Sequence, residues 1–80
     1  MRNLSTLAGL WLRQERYADA ETTLAEAVKR ARSVHGDAHA ETARLLEQHA
    51  EALRGSGRGA EAEQSESEAR RIRVQLDGSS

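Results

Sequence analysis

The residues best able to do chemistry are three histidines, His35, His39 and His49, and the glutamates crowded between Glu61 and Glu68. His35 and His39 stand four apart, a spacing that on one helix could hold a zinc ion. Gly36 and Asp37 lie between them and interrupt such a helix, and no His-Glu-x-x-His pattern is present, so no metal is expected. His49 is expected to be a half-buried packing residue or to line a contact between repeated units. Glu61 with Glu63, and Glu66 with Glu68, are two apart and face away from each other on a helix, which makes them a solvated face rather than an acid–base pair. The serines have no paired histidine and acid, and cysteine is absent, so neither a nucleophile nor a disulfide is available. Gly55-x-Gly57-x-Gly59 is rich in glycine but follows a helical pattern and lacks the Lys and Ser/Thr of a phosphate-binding loop. It reads as a turn between helices. These residues predict no enzyme and no cofactor.

Charge adds little. Twelve Lys+Arg stand against 13 Asp+Glu, a formal net charge of -1. No overall field draws nucleic acid or an anionic membrane. Arg70, Arg71 and Arg73 sit beside four glutamates without interleaved aromatics, as expected for the basic C-terminal end of a helix. Met1-Arg2-Asn3 and Leu4–Leu12 resemble a very short signal sequence, but Arg13, Gln14, Glu15 and Arg16 follow with no small-residue cleavage site. A cytoplasmic protein, with no membrane partner, is expected.

The elements that would position these residues are all helical. In the 80 residues there is no proline or phenylalanine, and alanine supplies much of the 38% that is hydrophobic, which favours close-packed helices over strands. Four apolar stripes recur at helical spacing. They are Leu4, Leu7, Ala8 and Trp11; Ala20, Leu24, Ala27, Val28 and Ala31; Ala43, Leu46, Ala50 and Leu53; and Ala62, Ala69, Ile72 and Leu76. In the last, Glu66 stands where a core residue is expected. The breaks between stripes predict helices over 2–14, 17–34, 38–54 and 59–76, with Asp37 as a helix cap and 77–80 as a disordered tail. In the fourth helix, early glutamates and late arginines oppose the helix dipole favourably.

The chain also repeats. Shifted by 42 residues, it matches itself at Leu4/Leu46, Ala8/Ala50, Arg16/Arg58, Ala18/Ala60, Ala20/Ala62, Glu21/Glu63, Glu26/Glu68 and Ala27/Ala69. Two helices per unit at a fixed period indicate stacked helical hairpins. The first unit covers about 2–34 and the second about 38–76. Ala8, Trp11, Tyr17, Ala20, Leu24 and Ala27 follow the small-and-large packing pattern of tetratricopeptide repeats. Gln14-Glu15-Arg16-Tyr17 and Gly36-Asp37-Ala38-His39-Ala40-Glu41-Thr42-Ala43 resemble the turn and linker of the 42-residue, kinesin-light-chain-like type. Glu15 replaces that type's turn glycine, which predicts a strained or altered turn. Gly59, Glu66 and His49 replace Tyr17, Leu24 and Leu7 in the second unit, which is therefore hydrophilic, as either a terminal or a degenerating repeat would be.

The resemblance implies an all-α fold of two antiparallel hairpins stacked as a short solenoid. Ala8, Trp11, Tyr17, Ala20, Leu24, Ala27, Leu46, Ala50, Leu53, Ala62 and Ala69 would pack the repeats together. It implies a non-catalytic interaction module whose concave face takes a peptide or partner helix. That face would carry Arg2, Ser5, Thr6, Gly9 and Arg13 from the first helix and Arg44, Glu47, Gln48 and Glu51 from the third. Thr6 and Gln48 occupy positions where this type often has peptide-clamping asparagines, and the arginines favour an acidic ligand. Such a module is also readable as the C-terminal end of a longer array; the alternative readings are a self-associating structural element or a regulatory segment of a larger signalling enzyme.

Overall fold

Each first helix of a hairpin has to stop within a residue or two for its partner to fold back against it. In a computed structural model describing residues 4–36 and 39–78, the chain does this twice with the same device. α1 (Leu4–Arg13) turns into α2 (Tyr17–His35), and α3 (Ala40–Gly55) turns into α4 (Gly59–Gly78). After α1, Arg16 N–H donates to Trp11 O at 2.8 Å and Glu15 N–H to Leu12 O at 3.1 Å. After α3, Arg58 N–H donates to Leu53 O at 2.8 Å and Gly57 N–H to Arg54 O at 3.0 Å. Both are Schellman closures, which need a left-handed residue just past the helix end. Gly57 supplies it at φ 81°, whereas Glu15 is driven to φ 57°. The strain expected at this turn is therefore present, and the second unit carries the glycine that the first lacks. A side chain in this region costs about 1–2 kcal/mol. Glu15→Gly, after the extra unfolded-state freedom of glycine, is expected to stabilise by about 0.5–1 kcal/mol. A urea melt checks this, and a loss of stability would contradict it.

The expected α3 cap is corrected. His39, not Asp37, is the N-cap: its Nδ1 accepts from Glu41 N–H at 3.0 Å. Asp37 lies outside the described residues. The His39 backbone is extended, at φ -138° and ψ 142°, as a cap requires. Gly36, at φ 83°, ends α2. The His35 and His39 rings stack across this linker with centroids 4.1 Å apart.

The core is built on alanine. Ala8, Ala20, Ala27, Ala31, Ala43, Ala50, Ala52, Ala62 and Ala69 are buried, and small residues let helix axes approach closely. Leu24, Val28, Leu45, Leu46, Leu53 and Ile72 fill the remaining space. Trp11 and Leu12 pack against the same cluster from its edge, and the Arg16 guanidinium lies 5.3 Å from the Trp11 ring centroid. The result is a slab of 38 × 32 × 17 Å.

Two expectations for α4 change. Leu76 is exposed and Ser65 takes a core position between Ala62 and Ala69, one turn before the expected apolar contact. The helix also continues through Asp77 and Gly78 rather than ending at 76, since no breaker precedes Gly78. Because α4 offers so few apolar side chains, ion pairs supplement its docking. Arg54 binds Glu66 through both terminal guanidinium nitrogens, Arg73 binds Glu47, Arg32 of α2 binds Glu68, and Arg58 binds Glu21 of α2. Glu66 thus sits at its unexpected position with a charged partner one helix away.

Candidate partner-binding face

α1 and α3 lie side by side because Ser5 and Gly9 leave room between them. Ser5 Oγ donates to Gln48 Oε1 at 3.0 Å. A Cβ on Gly9 would stand 4.0 Å from Gln48 Nε2, so the Gln48 amide rests along the bare stretch of α1. Around this bridge Thr6 and Arg13 of α1 and Arg44 and Glu51 of α3 are exposed. Arg44 makes a loose pair with Glu41 at 3.8 Å. Arg2 lies outside the described residues. An open cleft of about 350 Å³ runs past Thr6, Leu7, Gly9, Leu10 and Arg13. A smaller apolar cleft, about 190 Å³, opens where Leu4, Ala27, Ala31, Val34 and Leu45 converge.

Glu47 does not join this face in the way expected. Its two carboxylate oxygens accept from Arg73 Nε and Nη2, each at 2.8 Å, so it is committed to α4. That hydrogen-bonded guanidinium holds the Glu47 carboxyl below the usual range. Glu66 is lowered in the same way by Arg54. Residues 47 and 48 are about 100° apart around a helix, so one reaches α4 while the other meets α1.

Two structural positions had no clear sequence signal. The first is Gly55, which reads as a breaker but ends α3 beneath the Tyr17 ring. A Cβ there would lie 2.2 Å from the ring's Cε1. The second is Glu21, whose carboxylate accepts from Ser56 Oγ and Arg58, tying α2 to the turn between α3 and α4.

His49 is half-buried behind this tie, with Nδ1 3.5 Å from Ser65 Oγ. Burial lowers its pKa from the ordinary 6.5, and Arg58 adds to this, while Glu21 and Glu61 act against it. The folded state therefore prefers the neutral ring. The stability this contributes is full above about pH 6.5 and is lost as the pH falls below that, where the unfolded chain binds the proton more readily. Urea melts at about pH 8 and about pH 5.5 are expected to differ more for the native protein than for His49→Gln. Equal differences would remove His49 from the account.

Among the described residues no three metal-ligating side chains cluster, and no helix is long and apolar enough to cross a membrane. Comparison with known proteins adds one positive finding: a tetratricopeptide repeat family profile matches residues 1–73. No curated protein and no solved structure matches the chain.

Proposed function

Because the chain belongs to the tetratricopeptide repeat family, whose repeats generally mediate protein–protein contacts without catalysis, we propose that it is an interaction module binding an extended acidic peptide across α1 and α3. One observation carries this reading. The Ser5–Gln48 bond joins the two helices and uses Gln48 Oε1, leaving the Nε2 donors over the bare Gly9 surface. A peptide carbonyl laid there would find an amide donor already oriented, which reduces the ordering cost of binding. Arg13 and Arg44 flank the site and suit carboxylates on the peptide. Thr6 adds a hydroxyl within the same stretch. Glu47 is not part of the site, and Glu51 sets a limit on how acidic the ligand can be at its end of the face.

The test is an array of extended peptides differing in acidic content, probed with the native protein and with Gln48→Ala and Arg13→Glu. Capture is expected to favour acidic peptides. It should fall about tenfold or more in each variant, in line with losing one charge-assisted or well-oriented hydrogen bond, while both variants keep the helical signal and a cooperative melt, Gln48→Ala melting a few degrees lower for the lost Ser5 bond. Undiminished capture by both variants would sink the reading.

A further inference from the structure

Two histidine rings hold the linker between the hairpins. His35 is the last residue of α2 and His39 is the N-cap of α3. Their rings stack with centroids 4.1 Å apart and planes inclined by 14°. His39 closes the first turn of α3 twice: its carbonyl accepts from Ala43 N–H at 3.1 Å, and its ring Nδ1 accepts from Glu41 N–H at 3.0 Å. Thr42 Oγ1 adds a long contact to Gly36 O at 3.5 Å. The stack is not a metal clamp. A metal ion lies in the plane of each imidazole that binds it, about 2 Å from the nitrogen, and two nearly parallel rings share no such point.

A capping nitrogen must offer a lone pair. The oxygens of the usual caps keep theirs at neutral and mildly acid pH. An imidazole does not: the neutral ring has one acceptor nitrogen, and the charged ring has two donors and no acceptor. Histidine is the side chain that makes this change between about pH 5 and 8. A proton on His39 Nδ1 would meet the Glu41 N–H donor to donor. It would also set a positive charge on the free amides of a helix N-terminus, which favour anions. With both rings charged, like charges would face each other across the stack. The charged groups around the pair are Arg30 of α2 and Glu41 of α3, which line one cleft with His35, and Arg44, 3.8 Å from Glu41. α1, whose Leu4 and Ser5 line the same cleft, has no acidic residue. Among the described residues, one carboxylate against two guanidiniums gives no excess of acid to hold two imidazolium rings together.

We propose that the His35–His39 pair is an acid-released latch on the linker between the two hairpins. Neutral, the rings stack, His39 caps α3, and the first turn of that helix is closed. Protonated, His39 leaves the cap and the turn opens as far as Thr42 and Ala43, which are buried and stay with the core. Opening frees Glu41 from its place beside Arg44. The folded chain holds the neutral ring, so the contribution of the cap is complete at alkaline pH and is lost as the pH falls. His49, which lies against Ser65 in the second hairpin, is a separate group. The latch stands whether or not α1 and α3 hold a peptide.

The test is nuclear magnetic resonance of the ¹⁵N-labelled chain at about pH 8 and about pH 5.5, on either side of the ordinary histidine range. Asp37 lies outside the described residues, so the reference protein carries Asp37→Asn, and His49→Gln, to keep both groups out of the comparison. At the higher pH the His39 ring is expected as the tautomer with its hydrogen on Nε2. At the lower pH the Glu41 amide proton should move upfield in step with the His39 ring signals. Loss of a cap raises the open-to-closed ratio of a turn about fivefold. The heteronuclear Overhauser effects of Ala40 and Glu41 should therefore fall, while those of Leu45 to Leu53 and the helical circular dichroism hold. His39→Asn supplies an acceptor that does not titrate and should abolish the response. His35→Gln keeps the cap and should move the opening to lower pH. A neutral His39 with its hydrogen on Nδ1, a Glu41 amide indifferent to pH, or a response that survives His39→Asn would overturn the latch. A response unchanged in His35→Gln would overturn the part given to the stack.

Discussion

Gly55→Ala is expected to destabilise the protein by about 1–3 kcal/mol, the usual cost of forcing atoms into a filled space, although alanine is the better helix former by about 1 kcal/mol. The added methyl would meet three atoms of the Tyr17 ring at 2.2–2.4 Å. Those atoms belong to the ring itself, so no small rotation of a flexible tip relieves the contact. The whole ring must leave the surface of α3, and with it goes part of the packing between α2 and α3. A double-mutant cycle isolates the cause. In a Tyr17→Ala background the same Gly55→Ala change should be neutral or stabilising, because only the propensity gain remains. Urea melts of the four proteins give the coupling, and a Gly55→Ala penalty that persists without the ring would show that the glycine is needed for another reason.

The second large effect comes from copying a residue of the second unit into the first. Leu24 is fully buried, and Glu66 stands at its equivalent. Leu24→Glu would place a carboxylate where Leu12, not an arginine, occupies the position equivalent to Arg54. An unpartnered buried charge costs about 3–5 kcal/mol, comparable to the whole stability of a small domain. The variant is expected to lose its cooperative urea transition and most of its helical circular dichroism at 25 °C. Adding Leu12→Arg supplies the missing partner. It should recover about 1 kcal/mol, the scale of a pair near the surface, and no more, because α3 covers this cleft while water covers the other. A double variant no better than Leu24→Glu alone would mean that the Arg54–Glu66 pair does not act as a replaceable unit.

Helix number, hairpin pairing and most of the core were legible because they depend on periodicity. Ala8, Leu24, Ala27, Leu46, Ala50, Leu53 and Ala69 declare their face by spacing alone, and all are buried. What stayed hidden depends on distances between elements. Gly55 looks like any helix terminator until the Tyr17 ring is seen above it. Asp37 is the better capping residue in general, yet the ring nitrogen of His39 makes the bond. Glu66 was visible as an anomaly, but its partner Arg54 lies twelve residues away across a turn. On the candidate face, Ser5 and Gln48 are paired by the structure, while Glu47 reaches Arg73 of α4, because adjacent helical residues face different neighbours.

The alanine contacts that bring these helices together also shape how stability varies with temperature. An alanine hides little apolar area, so unfolding returns little to water. Its heat-capacity change should fall below the common 12–15 cal/mol/K per residue, or below about 1 kcal/mol/K for a chain of 80 residues. A small increment flattens the Gibbs–Helmholtz curve and widens the range of temperature over which the fold persists, while the small apolar area buried keeps the peak of stability low. A protein packed on Ala8, Ala20, Ala50 and Ala62 is thereby modest in strength at its optimum and slow to lose it in the cold.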